Sequence, residues 1–394
     1  MKRAIINLLT AGVSLLLAIV VLEILARVYL WKFADEDRFR RYASINQLNA
    51  RDAITAHPSN RYTAHRYIGY IPTPNYRYGN NRHNAFGFRG EEIVLPKPEG
   101  EFRIVCLGGS TTYTLVASHV NSYPAQMESA LREIGYSNVS VVNAGAEGWS
   151  SYESFINFQL RVLDIEPDLI VLYEGINDNL ARMIWPREAY RGDNSGYRGP
   201  NVTSLRMPNI LEYSTLARMA GIQMGWIYPH SSLSRTLIPL GPASIDYLWA
   251  QQVVGGTYPS GIFVEHPIED ILRDNPPVYF KRNVLNIVDT AKRHGIRIVF
   301  ATFAYCPEFG DPFVSDSRFT WTYDETNAIY KDIAAAEGGI AVFDFAAAFP
   351  RDKKYWSDGL HVNMEGAELM GRQFAEFLAG SGLLPKPQEQ SKES

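Results

Sequence analysis

The run Arg103-Ile104-Val105-Cys106-Leu107 leads into Gly108-Gly109-Ser110-Thr111-Thr112, and far downstream Trp356-Ser357-Asp358-Gly359-Leu360-His361 closes the globular part of the chain. A short buried strand that ends in two glycines turns sharply and lifts the next side chain, the Ser110 hydroxyl, to the carboxyl edge of a sheet. A serine hydroxyl is a weak nucleophile until an imidazole takes its proton, and the imidazole needs a carboxylate to fix its tautomer. His361 and Asp358 supply both groups. Gly-Gly-Ser is common in plain turns and Asp-x-x-His is common at helix caps, so neither segment marks a triad without what lies between them.

Two further blocks lie there: Val142-Asn143-Ala144-Gly145-Ala146-Glu147-Gly148-Trp149-Ser150 and Tyr173-Glu174-Gly175-Ile176-Asn177-Asp178-Asn179. Acyl transfer from an ester develops negative charge on the carbonyl oxygen, which calls for preorganised donors. A glycine amide and an asparagine side chain are donors of that kind.

In these blocks the chain resembles the SGNH hydrolases, also called GDSL-type lipases and esterases, in their membrane-anchored bacterial branch. Gly-Gly-Ser, Asn-Ala-Gly-x-x-Gly, Gly-x-Asn-Asp and Asp-Gly-x-His occur in that order between Phe102 and Leu378, outside one inserted stretch. The resemblance implies that Ser110 is the nucleophile and that its amide contributes to an oxyanion hole. It makes Gly148 the second donor, with Gly145 as the fallback, and the Asn177 side chain the third. His361 becomes the general base and Asp358 its orienting acid. Asn143 and Asp178 are expected to shape loops, as Asn and Asp commonly do. Two positions depart from the pattern: Gly109 stands where an acid usually precedes the serine, and Val362 where proline usually follows the histidine. Upstream, Asn84-Ala85-Phe86-Gly87-Phe88-Arg89-Gly90 is similar to a segment of the membrane-anchored branch, and a turn packing aromatics on the domain edge explains it as well as substrate binding does.

The elements that would carry these residues follow a rhythm of apolar run, loop and amphipathic stretch. Strands are expected at 103–107, 139–143, 169–173, 297–302 and 341–345, rich in Val, Ile and Phe and largely free of charge, as suits a parallel sheet covered on both faces. Helices are expected after Ser122 up to Gly135, after Ser150 or Ser151 up to Pro167, over 277–294, over 323–337, and over 364–378 behind Asn363. The order predicts an α/β fold, a doubly wound five-stranded parallel sheet of the flavodoxin-like three-layer kind, with ligands at the strands' carboxyl ends.

At 394 residues with 46% hydrophobic and 20% charged residues, the chain can bury a full core. A formal charge of −4 without a long basic run gives no reason to expect a nucleic-acid partner. The two cysteines, Cys106 and Cys306, exclude a disulfide framework and are expected as buried thiols. From Ala4 to Leu22 there is no charged residue and apolar character resumes up to Trp31, which predicts a retained transmembrane helix over a cleaved signal. Glu23 and Arg27 are spaced to pair on one helix face.

The expected organisation is an anchor at 1–31, a juxtamembrane segment at 32–100, a hydrolase domain at 101–382 with an insertion or lid at 182–275, and a disordered tail at 383–394. The histidines at 57, 65, 83, 119, 230, 266 and 294 read as ordinary polar residues, and the sequons at Asn138 and Asn201 are discounted.

The function expected is a membrane-bound serine ester hydrolase acting on an O-acyl, chiefly acetyl, carbohydrate ester, with neither metal nor organic cofactor and with the catalytic part extracytoplasmic. The alternatives are an O-acyltransferase using the same triad on a glycan, and a non-catalytic module that binds a glycan or a partner of an envelope polysaccharide machine. A phosphate-ester enzyme is disfavoured, because the chain has neither a phosphate-binding glycine loop with its lysine nor a metal-ligating cluster.

Overall fold

Five parallel strands form the central sheet: β1 (Phe102–Gly108), β2 (Val139–Asn143), β3 (Leu169–Tyr173), β4 (Arg297–Ala301) and β5 (Ile340–Phe343), in the order β5-β4-β3-β1-β2. The order reverses beside β1, and in open α/β sheets such a switch point places a crevice outside the carboxyl ends of the strands. The computed structural model describes residues 2–44, 46–48, 50, 61–65, 67–116, 118–184, 187–194, 213–226, 257–260 and 264–387.

Successive side chains of a strand point to opposite faces, and here both faces are buried. Ile104, Cys106, Leu169, Val171, Val299 and Ala301 enter one core, while Val105, Leu107, Ile170, Leu172, Ile298 and Phe300 enter the other. The first core is closed by the helices Tyr123–Glu133 and Met364–Gly380 through Met127, Leu131, Met370, Phe374 and Leu378. The second is closed by Val278–Arg293 through Phe280, Val284, Ile287 and Val288. The predicted doubly wound sheet is therefore the observed one, with strand ends matching to within one or two residues. Cys106 and Cys306 are both free and buried, and burial pushes the Cys106 thiol up to about 12.

Helix starts differ from expectation in two places. Ser122 occupies the N-cap position, but its hydroxyl donates to the His119 carbonyl at 2.7 Å and caps no helix N–H. The helix expected from Tyr323 begins at Ser317, where the Asp316 carboxylate accepts from Arg318 N. Phe319 and Tyr323 on that first stretch are fully buried, so packing outweighs the modest helix propensity of its aromatic and Thr residues. Ser150, by contrast, forms a full capping box with Glu153 ahead of Ser151–Asn157, an arrangement worth about 1 kcal/mol.

By contacts the chain divides into two units, Met1–Ala56 with Arg198–Thr236 and His57–Tyr197 with Leu237–Ser394. The segment expected to be juxtamembrane at 32–100 is thus shared between them. Its second part forms two small hairpins, Tyr62–His65 with Gly69–Pro72 and Arg77–Tyr78 with Asn81–Arg82, within the unit that holds the sheet. Much of the expected insertion lies outside the described residues, as does 388–394 of the expected tail. The insertion's two ends are joined: Arg182 Nε donates to the Asn275 carbonyl at 2.7 Å and Asn275 Nδ2 returns a bond to the Arg182 carbonyl at 2.8 Å.

In the other unit, the helix Lys2–Lys32 is the one described helix long and apolar enough to cross a membrane. None of its most apolar window is buried. Near its end Leu30 joins Phe39, Tyr42, Ala43, Leu48 and Ile222 in a small core. Glu23 pairs with Arg27 at 2.6 Å, as the spacing predicts. Its carboxylate also accepts from Ser214 Oγ, Thr215 N and Leu216 N at 2.8–2.9 Å, capping the helix Thr215–Gln223.

Candidate active site

Ser110 opens a single helical turn, Ser110–Tyr113, directly after β1, and Asp358 and His361 lie in a tight loop before the helix Met364–Gly380. That loop is closed by Ser357 N donating to the His361 carbonyl at 2.7 Å and by a bridge between Trp356 and Val362. Val362, where proline is usual, is buried in the core. Asn363 caps the helix that follows, its Oδ1 accepting from Gly366 N at 2.9 Å.

Within this frame His361 Nε2 lies 2.8 Å from Ser110 Oγ, and its Nδ1 lies 2.9 Å and 3.1 Å from the two Asp358 oxygens. An ionised carboxylate can only accept, so Nδ1 carries the proton and Nε2 presents its lone pair to the serine hydroxyl. Burial raises the pKa of the Asp358 carboxyl, yet the His361 ring and the backbone amides of Leu360 and His361 outweigh it and hold the group below the ordinary carboxylate range. Asp358 thus stays charged where the ring needs it.

The expected oxyanion donors come from two other loops. Asn177 stands on the helix Ile176–Ala181 after β3, and its Nδ2 donates to the Trp149 carbonyl at 2.8 Å. Gly148, the residue before Trp149, is in the left-handed region at φ 72°. Its neighbour Glu147 is held on both sides: Tyr62 Oη accepts from Glu147 N at 3.1 Å, and Tyr70 Oη donates to the Glu147 carbonyl at 2.5 Å. Gly145 N donates to Asn143 Oδ1 at 3.1 Å, so its amide is already used. Asn143 also donates to the Tyr113 carbonyl at 3.2 Å, and Asp178 accepts from the amide and hydroxyl of Ser151.

Sequence reasoning passed over Glu174, which immediately precedes the Gly-x-Asn-Asp block. It is 2% exposed and accepts from Ser154 Oγ at 2.5 Å and from the backbone of Gly109. Burial and the nearby Asp178 push its carboxyl well above the ordinary range. A carboxyl group therefore does lie beside the residue before the nucleophile, supplied from β3's end. Among the described residues, no group of three or more His, Cys, Asp or Glu side chains is arranged to hold a metal ion.

Residues 245–369 match the model of the GDSL-like Lipase/Acylhydrolase family. No curated protein matches the chain. Among solved structures, similar ones include a putative lipolytic protein of the G-D-S-L family from Desulfitobacterium hafniense (14% identity, 70% of this chain and 99% of that one, TM-score 0.39). A lipase/acylhydrolase from Enterococcus faecalis has 16% identity over 73% of this chain and 99% of that one, with a TM-score of 0.42. The acetyl xylan esterase AlAXEase has 12% identity over 70% and 98%, with a TM-score of 0.39. The matched stretch includes the Asp358–His361 loop, and in that part the chain is similar to the GDSL-like Lipase/Acylhydrolase family.

Proposed function

We propose that this chain is a membrane-anchored serine ester hydrolase working through a covalent acyl-enzyme, with Ser110 as nucleophile, His361 as general base and then acid, and Asp358 holding the ring. The observation that supports it most is the unbroken relay from Ser110 Oγ to His361 Nε2 at 2.8 Å and from His361 Nδ1 to Asp358 at 2.9 Å. As Ser110 Oγ bonds to the ester carbonyl carbon, its proton passes to His361 and the carbonyl oxygen becomes an oxyanion. The Ser110 and Gly148 amides and the Asn177 side chain receive that charge. Collapse breaks the bond to the leaving alkoxide, which takes the proton from His361. Water then repeats the sequence on the acyl-enzyme and releases the acid.

The substrate class we assign is an O-acyl carbohydrate ester with a short acyl group, on the aromatic and polar composition of the 182–275 stretch. The apolar helix Lys2–Lys32, with its unburied hydrophobic window, supports a membrane anchor. We place the catalytic unit outside the cytoplasm, where a single amino-terminal anchor commonly delivers the chain that follows.

The test is hydrolysis of p-nitrophenyl acetate and labelling by a fluorophosphonate, using full-length protein in detergent, wild type against Ser110→Ala. Both activities should vanish in the variant while its melting temperature stays within a few degrees. Equal activity in the two proteins would end the reading. Products analysed with an acetylated glycan, with and without an acceptor, separate release of acetate from its transfer.

A further inference from the structure

The Asn84–Gly90 segment contributes no group to the reaction above, yet its arginine reaches the chain that leaves the nucleophile turn. Arg89 is 3% exposed. Its Nη1 donates to the Tyr113 carbonyl at 2.5 Å and to the Thr114 carbonyl, and its Nη2 donates to the Val116 carbonyl at 2.7 Å. Nε is oriented by Asn81 Oδ1 at 2.8 Å, and the guanidinium carbon stands 4.5 Å from the centre of the Tyr113 ring. The Thr114 and Val116 carbonyls belong to no helix or strand, because Thr114 turns the chain through a positive φ of 62° immediately after the Ser110–Tyr113 turn. A planar fork of donors is the side chain suited to gathering carbonyls that diverge in this way.

The main chain of Arg89 makes the second link. Its N–H donates to the Asn143 carbonyl at 3.1 Å, at the end of β2 and on the loop that runs to Gly148. The segment presenting it is itself rigid. Asn84 Oδ1 accepts from both Phe86 N and Phe88 N at 3.0 Å, and Phe88 is buried in the core. Gly87 sits at φ 81°, where a Cβ would lie 2.4 Å from the Pro72 carbonyl oxygen.

We propose that Arg89 is a positioning residue for ester hydrolysis, fixing the turn that carries Ser110 relative to the loop that carries Gly148 by binding the carbonyls of Tyr113, Thr114 and Val116 with its side chain and that of Asn143 with its backbone. The proposal rests on Ser110 being the nucleophile. It assigns the Asn84–Gly90 segment the task of holding the nucleophile and one oxyanion donor at a set separation. Displacements near 1 Å can cost about 10²-fold in rate, so a segment outside the four blocks gains a direct hold on turnover.

The experiment compares steady-state kinetics of full-length wild type, Arg89→Ala, Arg89→Lys, Asn81→Ala and Ser110→Ala on p-nitrophenyl acetate, each checked for folding by circular dichroism. Arg89→Ala should lower kcat by about 10²-fold with KM changed no more than about twofold. Arg89→Lys should recover part of the loss, and guanidinium chloride well below denaturing concentration should partly restore Arg89→Ala and leave wild type unchanged. If Arg89→Ala does not fold, Arg89→Lys and Asn81→Ala carry the same criterion, a fall in kcat at steady KM. A folded Arg89→Ala with wild-type kcat, or a loss confined to KM, would overturn the proposal. Activity retained in Ser110→Ala would instead overturn the nucleophile assignment on which it rests.

Discussion

The side-chain amide of Asn177 donates to the carbonyl of Trp149 at 2.8 Å, tying the loop after β3 to the loop after β2 beside Ser110. One amide hydrogen is spent on that bond, which fixes the orientation of the group; in the mechanism proposed above the second is the oxyanion donor. Asn177→Ala removes the donor and the tie together. It should lower kcat by about 10²–10³-fold with little change in KM, as steady-state kinetics on a short-chain ester would show. A change in KM alone would mean that Asn177 only binds ground-state substrate.

Gly109 lies against this pair. A Cβ placed there would stand 2.6 Å from the Trp149 carbonyl oxygen and 2.7 Å from Asn177 Nδ2, both closer than real contacts allow. The backbone φ of −83° is outside the left-handed region, and the constraint on a Cβ is one of space. Gly109→Ala should therefore fold but push Asn177 aside, lowering kcat by roughly 10-fold or more. Gly109→Asp, which restores the acid usual at this position, should be worse, since it also faces the buried Glu174. Activity assays alongside thermal melts check both variants.

Asp358 fixes the tautomer of His361, so Asp358→Asn tests orientation at nearly constant shape. An amide can donate to Nδ1 and leave the proton on Nε2, which cannot then accept from Ser110. The loss in kcat near neutral pH should be on the order of 10³–10⁴-fold. The folded carboxyl titrates below its unfolded value, so its contribution to stability is present above about pH 3.9 and disappears as pH falls through the lower folded value. Denaturant midpoints of wild type and variant should therefore differ most above pH 4 and converge in stronger acid.

His83 is a second case of proton linkage, with the same sign. Its Nδ1 donates to the Thr73 carbonyl at 3.0 Å, and its Nε2 accepts from Tyr113 Oη at 3.0 Å on the nucleophile turn. Burial, with Arg89, Arg61 and Arg161 nearby and against the pull of the Thr73 carbonyl, lowers it to about 3. Between about pH 6.5 and pH 3 the unfolded chain binds a proton here that the folded one refuses, so stability drops as pH is lowered, by up to about 1.4 kcal/mol per unit. His83→Phe should be less stable at pH 7 and should lose this part of the slope, measured as denaturant midpoints from pH 7 to pH 4.

The sheet and the relay were legible because each rests on local pattern. Uncharged runs such as Leu169–Tyr173 mark strands buried on both faces, and the Gly-Gly turn and the short Asp358–His361 spacing constrain geometry within a few residues. The braces were not legible because they are long-range and carried by ordinary residue types. Nothing in a lone tyrosine at 62 or 70 announces a bond to Glu147, and a histidine at 83 reads as an ordinary polar residue until Tyr113 is seen beside it. Arg89 stood in a recognisable segment, but its partners are main-chain carbonyls, which any sequence would supply. The helix that begins at Ser317 was read short because its buried aromatics outweigh local propensity only once the core they enter is known.

Glu23 caps the helix Thr215–Gln223 from within the apolar helix, and Leu30 shares a core with Ile222. The amino-terminal helix is therefore part of a folding unit whose other half arrives about 190 residues later in the chain. Cutting the chain near residue 32 to make it soluble would strip two backbone amides of their acceptor and open a small apolar core. The shortened protein would carry a half-built piece in the middle of its sequence, ready to aggregate or be clipped there. A preparation that keeps the helix in detergent or a lipid disc should outlast the truncated one, and the gain would come from the integrity of the helix Thr215–Gln223 as much as from solubility.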